Sequence, residues 1–336
     1  MLRPLKIFVT GSTGFVGSHL CELLTKEGHI VYGLARSQEK FNKMSVNATC
    51  IEGSLSKDCQ FTYLNSLPDD LDAVFHTAGI VSSYKENRFY DVNYHSTENF
   101  INQLKDKYNK IHFILISSLA AAGPNAPVES DIPNPVSHYG KSKLLAEKAL
   151  LTSAPNCWQK TVVRPPMVIG PGDTAILEIF KMVNNKIVLI AGLDGLDNEY
   201  SFICVYDLIS LLKNTLDITL NNIDQKEMRI FFSSHPDTIR MSDLLNTIRQ
   251  YLKINQLNYI KLPIFLIRLT AHIMKALSFL MKQELLLTPD KVSELAPSKW
   301  ICSGKLSEEE LQVKYQWNLG KTIEVTLKDY QARGWL

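Results

Sequence analysis

"KIFVTGSTGFVGSHL", residues 6–20, runs a short apolar strand straight into a glycine-rich turn and the start of a helix. The turn carries Gly11, Gly14 and Gly17 behind Thr10. Glycine suits these places because a Cβ would block either the turn or the close helix–strand contact, and its absence lets the backbone approach a pyrophosphate. The helix behind the turn offers free N–H groups and the positive end of its dipole. A glycine triplet alone is weak, and a ligand-free turn is its plain alternative. Here both flanks are right for a dinucleotide site.

Outward from this turn, residues 5 to about 172 alternate short apolar runs with helix-length segments: "HIVYGLA", "ATCIEG", "DAVFHTAG", "KIHFILISS" and "KTVVRPPMVIG". Runs rich in Val, Ile and Phe, separated by crossovers, predict an α/β fold with a mostly parallel sheet covered on both faces. Beyond Pro171-Gly172 the rhythm loosens. "YSFICVYDLISLLKNTL" reads as strand then helix, "MRIFFSS" as a strand, and "MSDLLNTIRQYL" and 264–285 as helices. The expected organisation is a doubly wound Rossmann domain at 1–172 and a smaller, mostly helical substrate lobe at 173–336. Parts of about 200–233 are expected to return to the first domain.

The 336 residues allow one large domain or two moderate ones. Apolar content of 45% and charged content of 21% are those of a soluble globular chain. A formal net charge of +2 argues against a nucleic-acid partner. The six cysteines show no Cys-x-x-Cys spacing, and no His/Cys/Asp/Glu pattern suggests a metal. "MLRPLKIFVTG" enters a strand too soon for a secretory segment, and no apolar run is long enough to span a bilayer. A cytoplasmic protein without an integral membrane segment is expected.

The Thr-Gly-x-x-Gly-x-x-Gly turn is followed, in order, by "CIEGSLSKD", "DVNYHSTENF", "LISSLAAAGP", "PVSHYGKSK" and "VVRPPMVIGPGD". Together these resemble the extended short-chain dehydrogenase/reductase family, in its epimerase/dehydratase-like part. The dihydroflavonol-reductase and 3β-hydroxysteroid-dehydrogenase-like branch is the most similar, and the resemblance covers most of the chain. It implies a nicotinamide dinucleotide held by Gly11, Thr13, Gly14, Phe15, Val16, Gly17, Ser54, Leu55, Thr77, Ala78, Gly79, Asn93 and Pro166, with Tyr139 and Lys143. It implies Ser118, Tyr139 and Lys143 as the catalytic set, with Ser117 behind Ser118. It also implies a homodimer paired through helices near 92–106 and 139–152. Ser54 stands where the family usually has an Asp that contacts adenine, which puts that contact in doubt. Asn93 reads equally well as a helix-start residue.

The end of the second strand, "VYGLARSQEK", speaks to the cofactor. A carboxylate there would bind the adenosine ribose and select NAD. The chain has Ala35 instead, followed by Arg36 and Ser37. A guanidinium suits a 2′-phosphate, so NADP is expected over NAD, although Arg36 could be a solvated loop residue.

Tyr139 and Lys143 are four positions apart, on one face of a predicted helix. Reducing a carbonyl needs hydride and a proton for the developing alkoxide. A nearby ammonium would lower the phenol's pKa from about 10 toward a useful value, and Ser118 would position the substrate oxygen. Without the surrounding motifs the pair would read as two half-exposed helix residues. His76, His138 and His272 show no partner pattern.

The expected activity is NADP-dependent interconversion of a carbonyl and a secondary alcohol on an apolar small molecule. A nucleotide-sugar epimerase with tightly held NAD, and a non-catalytic NADP-binding regulator, are the alternatives. Leu119-Ala120 after Ser118 speaks against the family's dehydratases, which carry Asp-Glu there. The apolar segment 263–286 has Arg268, His272, Lys275 and Lys282 near one helix face. It could pack on the core, line a pocket, or touch a membrane or partner.

Overall fold

The computed structural model describes residues 3–44, 47–56, 61–218, 228–281 and 287–336. A seven-stranded sheet is built from β1 (Lys6–Thr10), β2 (Ile30–Ala35), β3 (Thr49–Glu52), β4 (Ala73–His76), β5 (His112–Ile116), β6 (Gln159–Arg164) and β10 (Arg229–Phe232). Its order is β10-β6-β5-β4-β1-β2-β3, with every pairing parallel. The fold is α/β and doubly wound, as the alternating runs predict. The chain reverses direction across the sheet between β1 and β4, which opens a crevice at their C-terminal ends.

β1 shows why these runs carry so little polar alternation. Ile7 and Val9 point to one face and Phe8 to the other, and all three are fully buried. On the Ile7 face, Leu20, Cys21 and Leu24 of helix Phe15–Lys26 meet Leu208, Leu211 and Leu212 of helix Val205–Ile218. On the Phe8 face, Phe100 and Leu104 of helix Ser96–Lys107 and Leu150 of helix His138–Ser153 pack on Val74 and Phe113.

The remaining strands form two small sheets. β7 (Met167–Ile169), β9 (Glu199–Cys204), β11 (Thr238–Arg240) and β13 (Lys299–Trp300) make one, and β8 (Ile187–Ala191) pairs with β12 (Asn258–Leu262) in the other. Helices Leu177–Asn184, Met241–Tyr251 and Leu319–Ala332 close a core of Phe180, Phe202, Leu245 and Tyr330 over them. These short strands explain the loosened rhythm, since two to six residues are too few to show a period. Of segment 200–233, β10 lies in the main sheet and β9 in the small one. Helix Ile264–Met281 follows β12; Lys282 and the rest of 282–286 lie outside the described residues. Among the described residues no helix is long and apolar enough to cross a membrane.

Candidate active site

The Gly11–Gly17 turn sits at the crevice. Gly11 has φ +67°, and a Cβ there would come within 2.7 Å of Ala78 N, so the turn and the loop after β4 are in contact without side chains between them. Thr77 Oγ1 donates to Thr10 O at 2.7 Å and ties the same two loops together. Helix Phe15–Lys26 begins at Gly14 with no side chain capping it. Its first N–H groups have no acceptor among the described residues, which is what a pyrophosphate requires. The cradle therefore fits a dinucleotide, with Thr13 in the turn, Phe15 and Val16 at the head of the helix and Pro166 just past β6.

At the far end of β2, Ala35 is buried while Arg36 is exposed and makes no ion pair or hydrogen bond among the described residues. Ser37 Oγ faces Lys40 N at 3.4 Å and caps the short helix Gln38–Asn42. Ser54 Oγ accepts from Ser56 N, and Leu55 packs on the core below. Asn93, on a π-helical turn at Tyr90–His95, is buried. Its amide accepts from Ile80 N at 2.8 Å and donates to Ile80 O and Ser142 Oγ, both at 3.0 Å. It thereby ties the loop after β4, with Gly79, to the Tyr139 helix.

Ser118 follows β5, and Tyr139 and Lys143 lie in the first turns of helix His138–Ser153, so the crevice brings the three together. The Ser118 hydroxyl is hydrogen-bonded to Tyr139 and also accepts from Ala120 N at 3.1 Å. Burial pushes the Tyr139 phenol up to about 12; the Ser118 hydrogen bond opposes this and the Glu294 carboxylate adds to it. Lys143 is buried beside Gly79 and donates to Ile116 O at 2.6 Å. Burial pulls its ammonium down to about 8, with Glu147 opposing. This corrects the expectation that Lys143 lowers the phenol: its ammonium is turned to the carbonyl at the end of β5, and burial leaves Tyr139 raised.

Beneath these groups lies an ion pair that the motifs do not announce. Arg164 Nε and a terminal nitrogen donate to the two oxygens of Glu147 at 3.0 and 2.6 Å, with each side chain 2% exposed. Ser117 Oγ donates to the same carboxylate. Glu147 is one turn beyond Lys143, so the spacing that pairs Tyr139 with Lys143 also reaches Glu147.

A second unannounced feature comes from the lobe. Helix Pro289–Leu295 presents Asp290 to the start of the Tyr139 helix, where it accepts from His138 N at 2.5 Å and Tyr139 N at 3.2 Å. Ser137, the N-cap of that helix, donates to Glu294 at 2.8 Å. His138 meets Tyr90 OH at 2.9 Å and faces Glu86, which binds Lys275 at 2.6 Å. Asp290→Asn is expected to lower turnover about ten- to a hundredfold by loosening Tyr139, with dinucleotide affinity unchanged. Steady-state kinetics and cofactor titration check this; equal losses in both would assign Asp290 a general structural role.

His76 has a structural place. His76 is buried between Thr10 Oγ1 and Thr97 Oγ1, each at 2.8 Å, and burial pulls it down to about 3. A cavity of about 850 Å³ lies at the opposite, N-terminal edge of the strands, lined by Arg3, His29, Asp72 and His112, and holds none of the groups above. No cluster of potential metal ligands occurs among the described residues.

The chain is 28% identical over 185 residues to the ceramide reductase of Caulobacter vibrioides, covering 54% of this chain and 52% of that one. It is 30% identical over 229 residues to the UDP-glucose 4-epimerase of Vibrio cholerae, covering 64% and 67%. The chain spans about half the length of the first curated relatives it matches. Among solved structures, UDP-glucuronic acid 4-epimerase from Bacillus cereus, in complex with UDP-glucuronic acid and NAD, superposes with a TM-score of 0.76 at 19% identity. That match covers 98% of this chain and 100% of the other. The family model described as "NAD dependent epimerase/dehydratase family" matches residues 7–225, from β1 through Ser118, Tyr139 and Lys143. With the crevice, the uncapped helix and the Ser118–Tyr139–Lys143 cluster all inside that stretch, the chain belongs to the NAD dependent epimerase/dehydratase family.

Proposed function

We propose that the chain is an NADP-dependent oxidoreductase that reduces a carbonyl on an apolar small molecule to a secondary alcohol. The observation that carries this is the Ser118–Tyr139 hydroxyl pair at the open end of the sheet, beside the uncapped cradle. Bound nicotinamide dinucleotide supplies hydride to the carbonyl carbon. Ser118 would hydrogen-bond the carbonyl oxygen and orient it, and Tyr139 would release its proton to that oxygen as charge builds there. Lys143 would help hold the dinucleotide and keep a positive charge near the phenolate left behind. The ceramide reductase relative supports an apolar substrate.

Arg36 supports NADP, because a guanidinium without another partner among the described residues follows Ala35 at the position that reads the adenosine ribose. Arg36→Asp is expected to lower the NADPH-over-NADH preference about a hundredfold, since it removes charge-assisted hydrogen bonds worth about 1.5–3 kcal/mol and adds repulsion. The ratio of kcat/KM for the two cofactors tests it, and an unchanged ratio would sink the NADP reading.

A nucleotide-sugar epimerase with tightly bound NAD is the second reading, favoured by the Vibrio cholerae relative. Extraction of the purified protein separates the two. NAD released on denaturation supports the epimerase, and an exchangeable NADPH site supports the reductase. A homodimer through helices Ser96–Lys107 and His138–Ser153 is part of the proposal.

A further inference from the structure

Helix Ile264–Met281 has one face packed and one face bare. Ile267 and Ala271 are buried against Leu262, Ala191 and Val292. On the opposite side Phe265, Leu269 and Ile273 are 69%, 58% and 54% exposed, and Leu266 and Leu277 are exposed beside them. Positions 265, 269, 273 and 277 recur every four residues, so they form one stripe along the helix. Next to it, the outer face of the two-stranded sheet exposes Leu189 and its cross-strand partner Ile260. Ala191 and Leu262 continue that same sheet face under the helix, which makes helix and sheet one apolar surface. Contiguous apolar patches of this kind mark a docking surface.

Charge decides what docks. The helix contains no Asp or Glu. Arg268 and His272 are exposed along one edge of the stripe and make no ion pair among the described residues, and Lys275 on the same flank is held by Glu86. A second copy of the chain would meet this face with its own Arg268 and with no helix carboxylate to answer it. Anionic lipid headgroups answer the Arg268 guanidinium, while the stripe enters the acyl boundary. The helix does not meet the length and apolarity needed to cross a bilayer.

We infer that helix Ile264–Met281 seats the protein in the plane of an anionic bilayer surface, through the Phe265–Leu269–Ile273–Leu277 stripe. This goes beyond the proposed reaction and does not depend on it. The Lys275–Glu86 and Glu86–His138 contacts link this helix to the Tyr139 helix, so the bilayer lies on the side of the molecule that carries the reacting groups.

The test is co-sedimentation of the full chain with phosphatidylcholine vesicles, with and without phosphatidylserine. Wild type is expected to pellet with the mixed vesicles, and the Leu269→Glu/Ile273→Glu double variant to partition about tenfold or more weakly. Arg268→Gln/His272→Gln is expected to lose only the phosphatidylserine-dependent part. Tyr139→Phe is expected to bind as wild type, which separates docking from the chemistry. Failure of the folded wild type to pellet overturns the inference, as does pelleting that ignores the stripe substitutions. So does light scattering in which the stripe variant converts an oligomer to a monomer, since a second copy would then cover this face.

Discussion

Tyr139→Phe is expected to lower carbonyl-reductase turnover about a thousandfold, within the range by which positioned acid–base groups contribute, while NADPH affinity stays within about twofold. The phenyl ring keeps the contact with Phe89 and the packing of the helix start; only the hydroxyl and its proton are lost. Ser118 then loses its partner but remains the cap of the turn through Ala120 N, so the local backbone has no reason to move. The measurement is single-turnover hydride transfer with cofactor titration alongside. Turnover near wild type would remove Tyr139 from the chemistry, and a matching loss of cofactor affinity would make it a structural residue. The pH dependence adds a sign. In the dinucleotide-free protein Lys143 loses its charge as pH rises through about 8. The positive charge that Lys143 would offer the dinucleotide is therefore lost above that pH, and reductase kcat/KM for the cofactor is expected to fall on the alkaline side.

Glu147→Ala is expected to cost about 3–5 kcal/mol of stability, the usual penalty for stranding a buried charge. The Arg164 guanidinium is enclosed between Glu147 and the Phe232 ring, and Ser117 would lose its acceptor as well. Urea denaturation measures the loss, and a change under about 1 kcal/mol would mean water or a shifted side chain replaces the carboxylate. The double substitution Glu147→Leu/Arg164→Met is expected to recover most of the loss, because it removes both charges and fills similar volume. The pair is therefore a device for fixing the floor of the site, and its net contribution to stability is small compared with the cost of breaking it.

The main sheet and the reacting residues are legible because each depends on neighbours in sequence. β1, its turn and its helix lie within residues 6–26, and Ser118 and Tyr139 stand in short runs with recognisable spacing. What is not legible is long-range. Asp290 reads as an ordinary first-turn acid after Thr288-Pro289, and nothing near it in sequence points to His138 and Tyr139. Glu147 in "LLAEKAL" reads as a solvated helix position; its i, i+4 relation to Lys143 is the one available signal. Lys143 shows the limit of spacing as evidence. The four-residue interval puts it on the face of Tyr139, but its long chain reaches the Ile116 carbonyl, and only the fold decides where the ammonium ends. The β8–β12 sheet escapes for a related reason: its strands pair across about seventy intervening residues.

The carboxylate of Asp290 at the head of the Tyr139 helix also has a consequence for order in time. On a ribosome, residues 6–204 can emerge and pair their strands while Asp290 is still unmade. The nascent chain would thus own a dinucleotide cradle before it owns a seated acid. The last strand of the main sheet, β10, arrives later, and the Pro289–Leu295 helix later still, to lock Ser137, His138 and Tyr139 from outside. Assembly of the reactive end is in this way reserved for a chain already translated past residue 295.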